Sequence, residues 1–155
     1  PARKAGIRVV HLRFGMILGP AGGALRQMLP IFRAGAGGRI GSGRQFWSWV
    51  SRDDAIGSVL LAASYGALSG AVNVVSPGPV RNLTFVAVLG SVVDRPTVVP
   101  VPASILRMTM GSMADELLLS SARVIPERLQ ETGYEFQDPE LEPALRHMFG
   151  RPDTR

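Results

Sequence analysis

The chain has 155 residues, a net charge of +5 and no cysteine, and 46% of its residues are hydrophobic. This composition excludes a disordered chain, disulfides and thiolate metal sites, and it predicts one domain, or one lobe of a larger protein, in the reducing cytoplasm. The scattered arginines and the 6% of aromatic residues disfavour specific nucleic-acid binding, and no apolar run approaches the ~20 residues of a membrane span.

The first predicted element is a strand over residues 7–14, where apolar side chains on both faces indicate a buried parallel strand. A loop is predicted at residues 15–20, and the carboxyl end of a parallel strand is where open α/β sheets bind ligands. An amphipathic helix follows, and Pro30 is expected to kink or split it. Its apolar face consists of Leu25, Met28, Leu29 and Phe32.

A glycine-rich segment, residues 35–43, has the composition of a phosphate-binding loop but not its pattern. It has no G-x-G-x-x-G register and follows a helix instead of a strand, so it is interpreted as a mobile loop. Neither a Walker lysine nor an H-E-x-x-H motif occurs in the sequence. No metal site is therefore predicted.

The centre of the chain combines a short strand with a capped helix. Residues 46–50, FWSWV, have the aromatic and β-branched character of a strand. Ser51 and Asp54 match a capping box at the start of the next helix, which favours capping over catalysis for Asp53 and Asp54. The apolar side chains of this helix share one face, at Ile56, Val59, Leu60 and Ala63.

A change in composition near residue 78 divides the chain into a strand–helix–strand part and a mostly helical part. The first part closes with a buried strand over residues 72–75, which is expected to be the neighbour of the first strand. In the second part, Asn82 is predicted to cap a helix over residues 83–93, and residues 97–99 are predicted to form a strand. This order of elements predicts an α/β fold.

Four further helices are predicted in the last third of the chain. Two of them occupy residues 103–110 and 113–120. Pro126 is expected at the first position of the third helix, which Gly133 closes. Asp138 is expected to cap the fourth helix.

Three stretches give the chain a resemblance to a known family. RVVHLRFGMILGP resembles the sixth sheet strand, and the loop after it, of extended short-chain dehydrogenase/reductases. The G-x-G-x-Q turn, short strand and Asp-capped helix resemble the NAD(P)-dependent epimerase-like branch, whose chains end in a small domain of unknown function. MADELLLSSARVIPERLQETGYEF resembles that terminal domain. The turn, strand and cap consist here of Gly41, Gly43, Gln45, Ser48, Trp49 and Asp54.

The resemblance implies the C-terminal part of a Rossmann-like doubly wound fold at residues 1–78, followed by a small, mostly helical α+β substrate-binding lobe at residues 79–155. The family's glycine-rich fingerprint and its catalytic Tyr-x-x-x-Lys belong upstream, and neither occurs in the chain. No catalytic residue is therefore assigned. We expect the chain alone to bind NAD or NADP weakly or not at all, and to self-associate or to bind the missing N-terminal half.

The family implies hydride transfer between a nicotinamide and a small-molecule substrate. Cofactor contacts are implied at Phe14, Gly15, Met16 and Ile17, and substrate contacts at Gln45, Trp47 and Ser48. Met16 and Trp47 stand where nucleotide-sugar enzymes often carry Asn and Arg, which disfavours a nucleotide-sugar substrate. Ser51 stands where this branch usually has His. A non-catalytic binding module that retains the half-fold is the alternative, and an arginine-rich nucleic-acid binder ranks third.

Overall fold

The computed structural model of the protein describes residues 2–102, 104, 108 and 119–150, and it confirms the predicted α/β class. The strands are β1 (Val10–Phe14), β2 (Met16–Gly19), β3 (Phe46–Trp47), β4 (Trp49–Ser51), β5 (Gly70–Val74) and β6 (Val80–Arg81). The α-helices are α1 (Gly23–Arg33), α2 (Arg52–Ser64), α3 (Asn82–Val92), α4 (Glu127–Glu131) and α5 (Leu141–Met148), and a 3₁₀ helix spans Ala2–Ala5.

The strands pair in three two-stranded ladders, two of them parallel and one antiparallel. β1 lies parallel to β5, so that Val10 is opposite Gly70 and Phe14 is opposite Val74. This pairing confirms that residues 72–74 of the strand predicted at 72–75 lie beside the first strand. β2 lies parallel to β4, and β3 lies antiparallel to β6. Parallel strands place their carboxyl ends at one edge, and the candidate site forms there.

Two hydrophobic clusters fill the interior. The larger one joins α1, α3 and α5 to the β2–β4 ladder around Trp49 and Phe85, which are both fully buried. The smaller one packs α2 and α4 against β1 and β5, around Val72 and Val74. Burial of these side chains fixes the positions of the ladders. The larger cluster contains residues on both sides of residue 78, and the predicted domain boundary there stays a prediction.

The segment after β1 differs from its prediction in two places. Residues 15–20, predicted as a loop, contain β2, because hydrogen bonds to β4 continue the chain as a strand. Pro30 does not split α1, which continues past it to Arg33. Leu29 and Phe32 are buried on either side of Pro30. This packing holds the last turn of the helix against the core despite the missing N–H of the proline.

The apolar stripe of α2 faces outward, away from the core. Ile56, Val59 and Leu60 are 53%, 44% and 64% exposed. The buried side of the helix consists instead of Asp54, Ala55, Ser58 and Ala62. The predicted cap is confirmed, because Ser51 Oγ accepts a hydrogen bond from the Asp54 N–H at 3.1 Å.

Two other predicted caps are wrong. α3 begins at Asn82 itself, and the Asn82 Oδ1 accepts a hydrogen bond from the N–H of Ile40 (2.8 Å), so this side chain ties α3 to the glycine-rich segment. α5 begins at Leu141, and Asp138 is too far upstream to cap it. The Asp138 Oδ1 lies instead 3.1 Å from Nδ1 of His147, near the other end of the helix.

The glycine-rich segment is held by an isolated bridge between Gly38 and Val98. Residues 97–99, predicted as a strand, contribute only this bridge and no ladder. The helices predicted at residues 103–110 and 113–120 lie almost wholly outside the described residues. In the part of the chain that is described, no helix has the length and apolar character needed to cross a membrane.

Candidate cofactor and substrate site

The candidate site lies at the carboxyl ends of β1 and β5, where the chain passes from β1 into β2. The Gly15 N–H donates to the carbonyl of Val74 (3.2 Å), and the Met16 N–H donates to the carbonyl of Ser48 (2.8 Å). The structure thus brings residues 14–17, the predicted cofactor segment, against the predicted substrate segment at Ser48. Ligands of open α/β sheets usually bind at this edge.

Gly15 occupies a position that a larger residue would disturb. A Cβ atom built there lies 2.5 Å from the Ser48 carbonyl oxygen and 2.7 Å from Cγ1 of Val75. Both distances are well below van der Waals contact, so a side chain at this position pushes Ser48 away from the end of β1. Glycine therefore permits the close approach of the two predicted segments.

Phe14 and Ile17 lie on either side of this contact and offer an apolar surface. Phe14 is 42% exposed and Ile17 is 40% exposed. Met16, between them, is partly buried and packs on the larger hydrophobic cluster. An exposed apolar surface next to a glycine backbone can hold the flat face of a nicotinamide ring.

Ser48 fastens residues 121–124 to the site. Its Oγ donates to the carbonyl of Ala122 (2.7 Å) and accepts a hydrogen bond from the N–H of Val124 (2.9 Å). The neighbouring Phe46 N–H donates to the hydroxyl of Ser121 (3.0 Å). Because its hydroxyl already acts as donor and acceptor within the protein, Ser48 positions the wall of the site, and its predicted contact with a substrate stays a prediction.

Gln45 and Trp47 lie in the interior beside the site. Gln45 is 8% exposed, and its Nε2 donates to the carbonyl of Ile40 (3.1 Å). Trp47 is 3% exposed and packs edge to face on Phe85, with 5.1 Å between the ring centroids. Both side chains lie on the interior side of the wall of the site and support it from there. Their predicted contact with a substrate stays a prediction.

Phe46, Arg81 and Arg123 received no role from the sequence, yet the structure brings them together next to Ser48. The guanidinium carbons of Arg81 and Arg123 lie 5.2 and 5.6 Å from the centroid of the Phe46 ring. Arg81 is opposite Phe46 in the β3–β6 ladder, whereas Arg123 belongs to the segment that Ser48 fastens. These residues are far apart in the sequence, so no local pattern links them.

Asp54 is buried, and its carboxylate joins separate segments of the chain. Its carboxylate accepts hydrogen bonds from the hydroxyl of Ser51 (3.0 Å), from the N–H groups of Gln137 and Asp138 (both 2.9 Å) and from the Tyr134 phenol (3.2 Å). Burial, followed by the charge of Asp54 and its hydrogen bond, raises the pKa of Tyr134 to about 12. Among the described residues, no group of three or more His, Cys, Asp or Glu side chains could hold a metal ion.

Comparisons with known proteins show which sequences and folds the chain resembles. A domain of unknown function, DUF1731, matches residues 101–148. An epimerase family protein of Mycobacterium bovis is 42% identical over 152 residues, which make up 98% of this chain and 50% of that protein. The human epimerase family protein SDR39U1 is 37% identical over 141 residues, 91% of this chain and 48% of that protein. The chain thus spans about half the length of the curated relatives it matches.

Two solved structures have the same fold over nearly the whole chain. The crystal structure of human SDR39U1 with NADPH has a TM-score of 0.88 and 36% identity, and the match covers 92% of this chain and 48% of that one. A nucleoside-diphosphate sugar epimerase from Corynebacterium glutamicum has a TM-score of 0.77 and 29% identity, and the match covers 97% of this chain and 28% of that one.

Proposed function

Since the chain corresponds in sequence and in its Rossmann-like fold to the C-terminal half of an epimerase family protein, we propose that it forms the substrate side of a cytoplasmic NAD(P)-dependent oxidoreductase. The observation that carries this proposal is the contact of residues 14–17 with Ser48 at the carboxyl ends of β1 and β5. The human relative was crystallised with NADPH, which supports NADPH or NAD as the cofactor of the whole enzyme.

In this function the chain orients the reactants, and the other half of the enzyme supplies the acid–base group. Phe14 and Ile17 would hold the nicotinamide ring, and the bound cofactor would supply the hydride chemistry at a substrate carbon, while the acid–base group of the other half would carry the proton. The two tyrosines of this chain are unsuited to move that proton. The raised pKa and the hydrogen bond to Asp54 keep Tyr134 protonated, and Tyr65 has no lysine four residues later.

The proposed substrate is a small molecule, and a nucleotide sugar is disfavoured. Such a ligand needs cations for its diphosphate. Met16 and Trp47 provide none at the positions where related nucleotide-sugar enzymes often carry polar or charged side chains, and Trp47 is buried as well.

The test of cofactor binding requires both halves of the fold. The chain is combined with the N-terminal half of the mycobacterial relative, and NADPH binding is followed by nicotinamide fluorescence. Gly15→Ala is expected to weaken NADPH binding at least about tenfold, since the new Cβ displaces the segment that faces the nicotinamide. Gly66→Ala is the matched control, because a Cβ there meets no atom within 4 Å. Equal NADPH affinity in the two variants would contradict the cofactor assignment.

The same experiment separates the enzyme from the alternative. An assembled protein that binds NADPH and oxidises it with a carbonyl substrate supports the oxidoreductase. An assembled protein that binds no nicotinamide cofactor favours a non-catalytic binding module that retains the half-fold. The chain by itself is expected to show no dehydrogenase activity, because it contains neither the glycine-rich fingerprint nor a Tyr-x-x-x-Lys pair.

We also propose that the N-terminal half of such a fold is the partner of this chain. Within the described residues β1 pairs only with β5, so its other edge presents unpaired backbone groups. The outward stripe of α2 is a second uncovered surface. An open strand edge accepts another strand, and an exposed apolar patch marks an interaction surface. Because the matched relatives are about twice as long as this chain, they contain a polypeptide of the required size. Self-association is the alternative.

A further inference from the structure

The β1–β5 ladder has two outer edges, one on each strand. Two backbone hydrogen bonds identify the groups that lie between the strands. The Gly70 N–H donates to the carbonyl of Val9 (2.9 Å), and the Gly15 N–H donates to the carbonyl of Val74 (3.2 Å). The backbone groups of successive strand residues point to opposite edges. The even-numbered residues of β5 therefore direct their backbone groups to β1, and the odd-numbered residues direct theirs to the outer edge.

A side chain of α4 covers the outer edge of β5. The Arg128 guanidinium donates from Nη1 to the carbonyl of Ser69 and to that of Ala71 (3.4 Å), which are consecutive carbonyls of this edge. Further along the strand, the Asn73 side chain donates to the carbonyl of Ile125 (3.5 Å). The segment before α4 and the first turn of the helix thus occupy the place where a further strand would pair with β5.

Burial of the neighbouring residue holds Arg128 in this place. Leu129 is fully buried and belongs, with Val72 and Val74 of β5, to the smaller hydrophobic cluster. This packing fixes the backbone of α4 beside β5. The Arg128 side chain therefore starts close to the two carbonyls that it binds.

The sequence of β5 offers no protection of its own. The strand reads GAVNV and contains no charged residue and no proline, which are the features that keep natural edge strands from pairing with another chain. An uncharged edge of this kind suits the same strand of a second copy, because two identical strands can pair about a two-fold axis. Arg128 supplies from α4 the charge that β5 lacks.

We propose that Arg128 closes the β5 edge to a second copy of this chain, so that another strand can be added to the ladder at the β1 edge only. A strand that arrives at β5 must displace the guanidinium from two carbonyls and leave the cation beside a partly dehydrated interface, which is unfavourable. In the part of the chain that is described, no strand pairs with the outer edge of β1. This role of Arg128 belongs to the chain alone and does not rest on the proposed activity.

Arg128→Gln tests the closure of the β5 edge in the 155-residue chain. We expect the dissociation constant for self-association, measured by sedimentation velocity, to fall at least about tenfold, because an incoming strand no longer displaces a charge-assisted hydrogen bond. Arg26→Gln removes an exposed arginine of α1 with the same change in net charge and is expected to behave like the unaltered chain. Adding Ala71→Pro to Arg128→Gln should reverse the effect, because the proline removes an outward N–H that a second strand needs.

A cysteine reporter locates the contact, since the chain has no cysteine of its own. In the Arg128→Gln background, Ala71→Cys is expected to give a disulfide-linked dimer with oxidised glutathione, because two β5 strands paired about a two-fold axis bring these residues within disulfide distance. His11→Cys on β1 is the control. Equal self-association of Arg128→Gln and Arg26→Gln overturns the proposal, as does a cross-link through His11→Cys and not through Ala71→Cys. If Arg128→Gln fails to fold, Arg128→Lys replaces it and the same outcomes decide, since lysine lacks the planar fork.

Discussion

In α2 (Arg52–Ser64), polar side chains face the core and apolar side chains face outward, which is the reverse of the usual arrangement. The side that faces the core carries Asp54 and Ser58, which have no exposed surface. The side that faces outward carries the apolar stripe, in which Ile56 is 53% and Leu60 is 64% exposed. A helix of a self-contained globular protein normally buries its apolar stripe. The buried polar side of α2 therefore holds the chain folded, whereas its exposed apolar side is suited to assembly with another polypeptide.

The buried side shows how hydrogen bonds can fix a helix without an apolar stripe. The Asp54 carboxylate joins the first turn of α2 to the backbone N–H groups of Gln137 and Asp138, just before α5. The Ser58 hydroxyl donates to the Asp54 carbonyl (2.8 Å), so it also has a partner. A buried charge is tolerated because every lone pair that faces the interior has a donor. This side of the helix needs no further polypeptide.

Asp54→Ala tests the buried side and has the largest expected effect on stability. It leaves the buried N–H of Asp138 and the partly buried N–H of Gln137 without an acceptor, which is expected to lower the free energy of unfolding by about 3–5 kcal/mol. Asp53→Ala is the matched control, since that carboxylate is 42% exposed and, among the described residues, pairs with Arg52 alone, and a loss below about 1 kcal/mol is expected. Urea unfolding followed by circular dichroism measures both. Equal losses would show that Asp54 does not anchor the helix.

Leu60→Lys tests the outward side through assembly. We expect the affinity of the chain for an N-terminal half of the fold to fall at least about tenfold, because a charge in an apolar interface must be desolvated. Thr84→Lys places the same charge on an exposed position of α3 and serves as the control. Calorimetric titration of one half into the other measures the two affinities. An unchanged affinity for Leu60→Lys would place the interface at the free edge of β1 alone.

Ionisation of the Tyr134 phenol is expected to make the stability of the chain depend on pH in the alkaline range. Its pKa is raised from 10.0 to about 12 in the folded chain, chiefly by burial and then by Asp54. A raised folded-state pKa means that the stabilisation is complete below pH 10 and is lost as the pH rises from 10 to 12. We expect this loss to be about 1 kcal/mol, since solvent screens a partly exposed phenol. Tyr134→Phe removes the titrating group, so its stability should change less over the same range in urea unfolding series. Parallel curves for the two proteins would assign the loss to another group.

Local signals in the sequence predicted the elements but not their orientation. The cap formed by Ser51 and Asp54 was predictable because neighbouring residues determine it. The strand predicted at residues 7–14 is present as β1, but it begins at Val10 and its residues are exposed or partly buried, so the prediction that both of its faces are buried is wrong. The direction of the apolar stripe of α2 was not predictable, because periodicity shows that a face is apolar and not what covers it. The capping prediction for Asn82 failed for a related reason, since its partner Ile40 is distant in the sequence.

The candidate site was predictable where the family resemblance supplied it and not elsewhere. The meeting of residues 14–17 with Ser48 follows from the position of that segment at the end of a parallel strand. The grouping of Phe46, Arg81 and Arg123 depends on the β3–β6 ladder and on the hydroxyl of Ser48, which are tertiary contacts with no local signal. Scattered arginines in a sequence therefore do not exclude a local concentration of charge in the fold.

Ile56→Gln in the chain by itself has the smallest expected effect. Ile56 is 53% exposed, so the substitution removes little buried apolar surface, and we expect the free energy of unfolding to change by less than about 0.5 kcal/mol. Ala62→Gln is the matched variant on the buried side of the same helix, where Ala62 is 7% exposed. We expect this variant to lose about 2–4 kcal/mol in free energy of unfolding, because it forces a large polar group into the smaller hydrophobic cluster. Urea unfolding at two protein concentrations measures both. A large loss from Ile56→Gln, with a midpoint that depends on concentration, would mean that two copies of the chain bury the stripe between them, because unfolding of an assembly is linked to its dissociation.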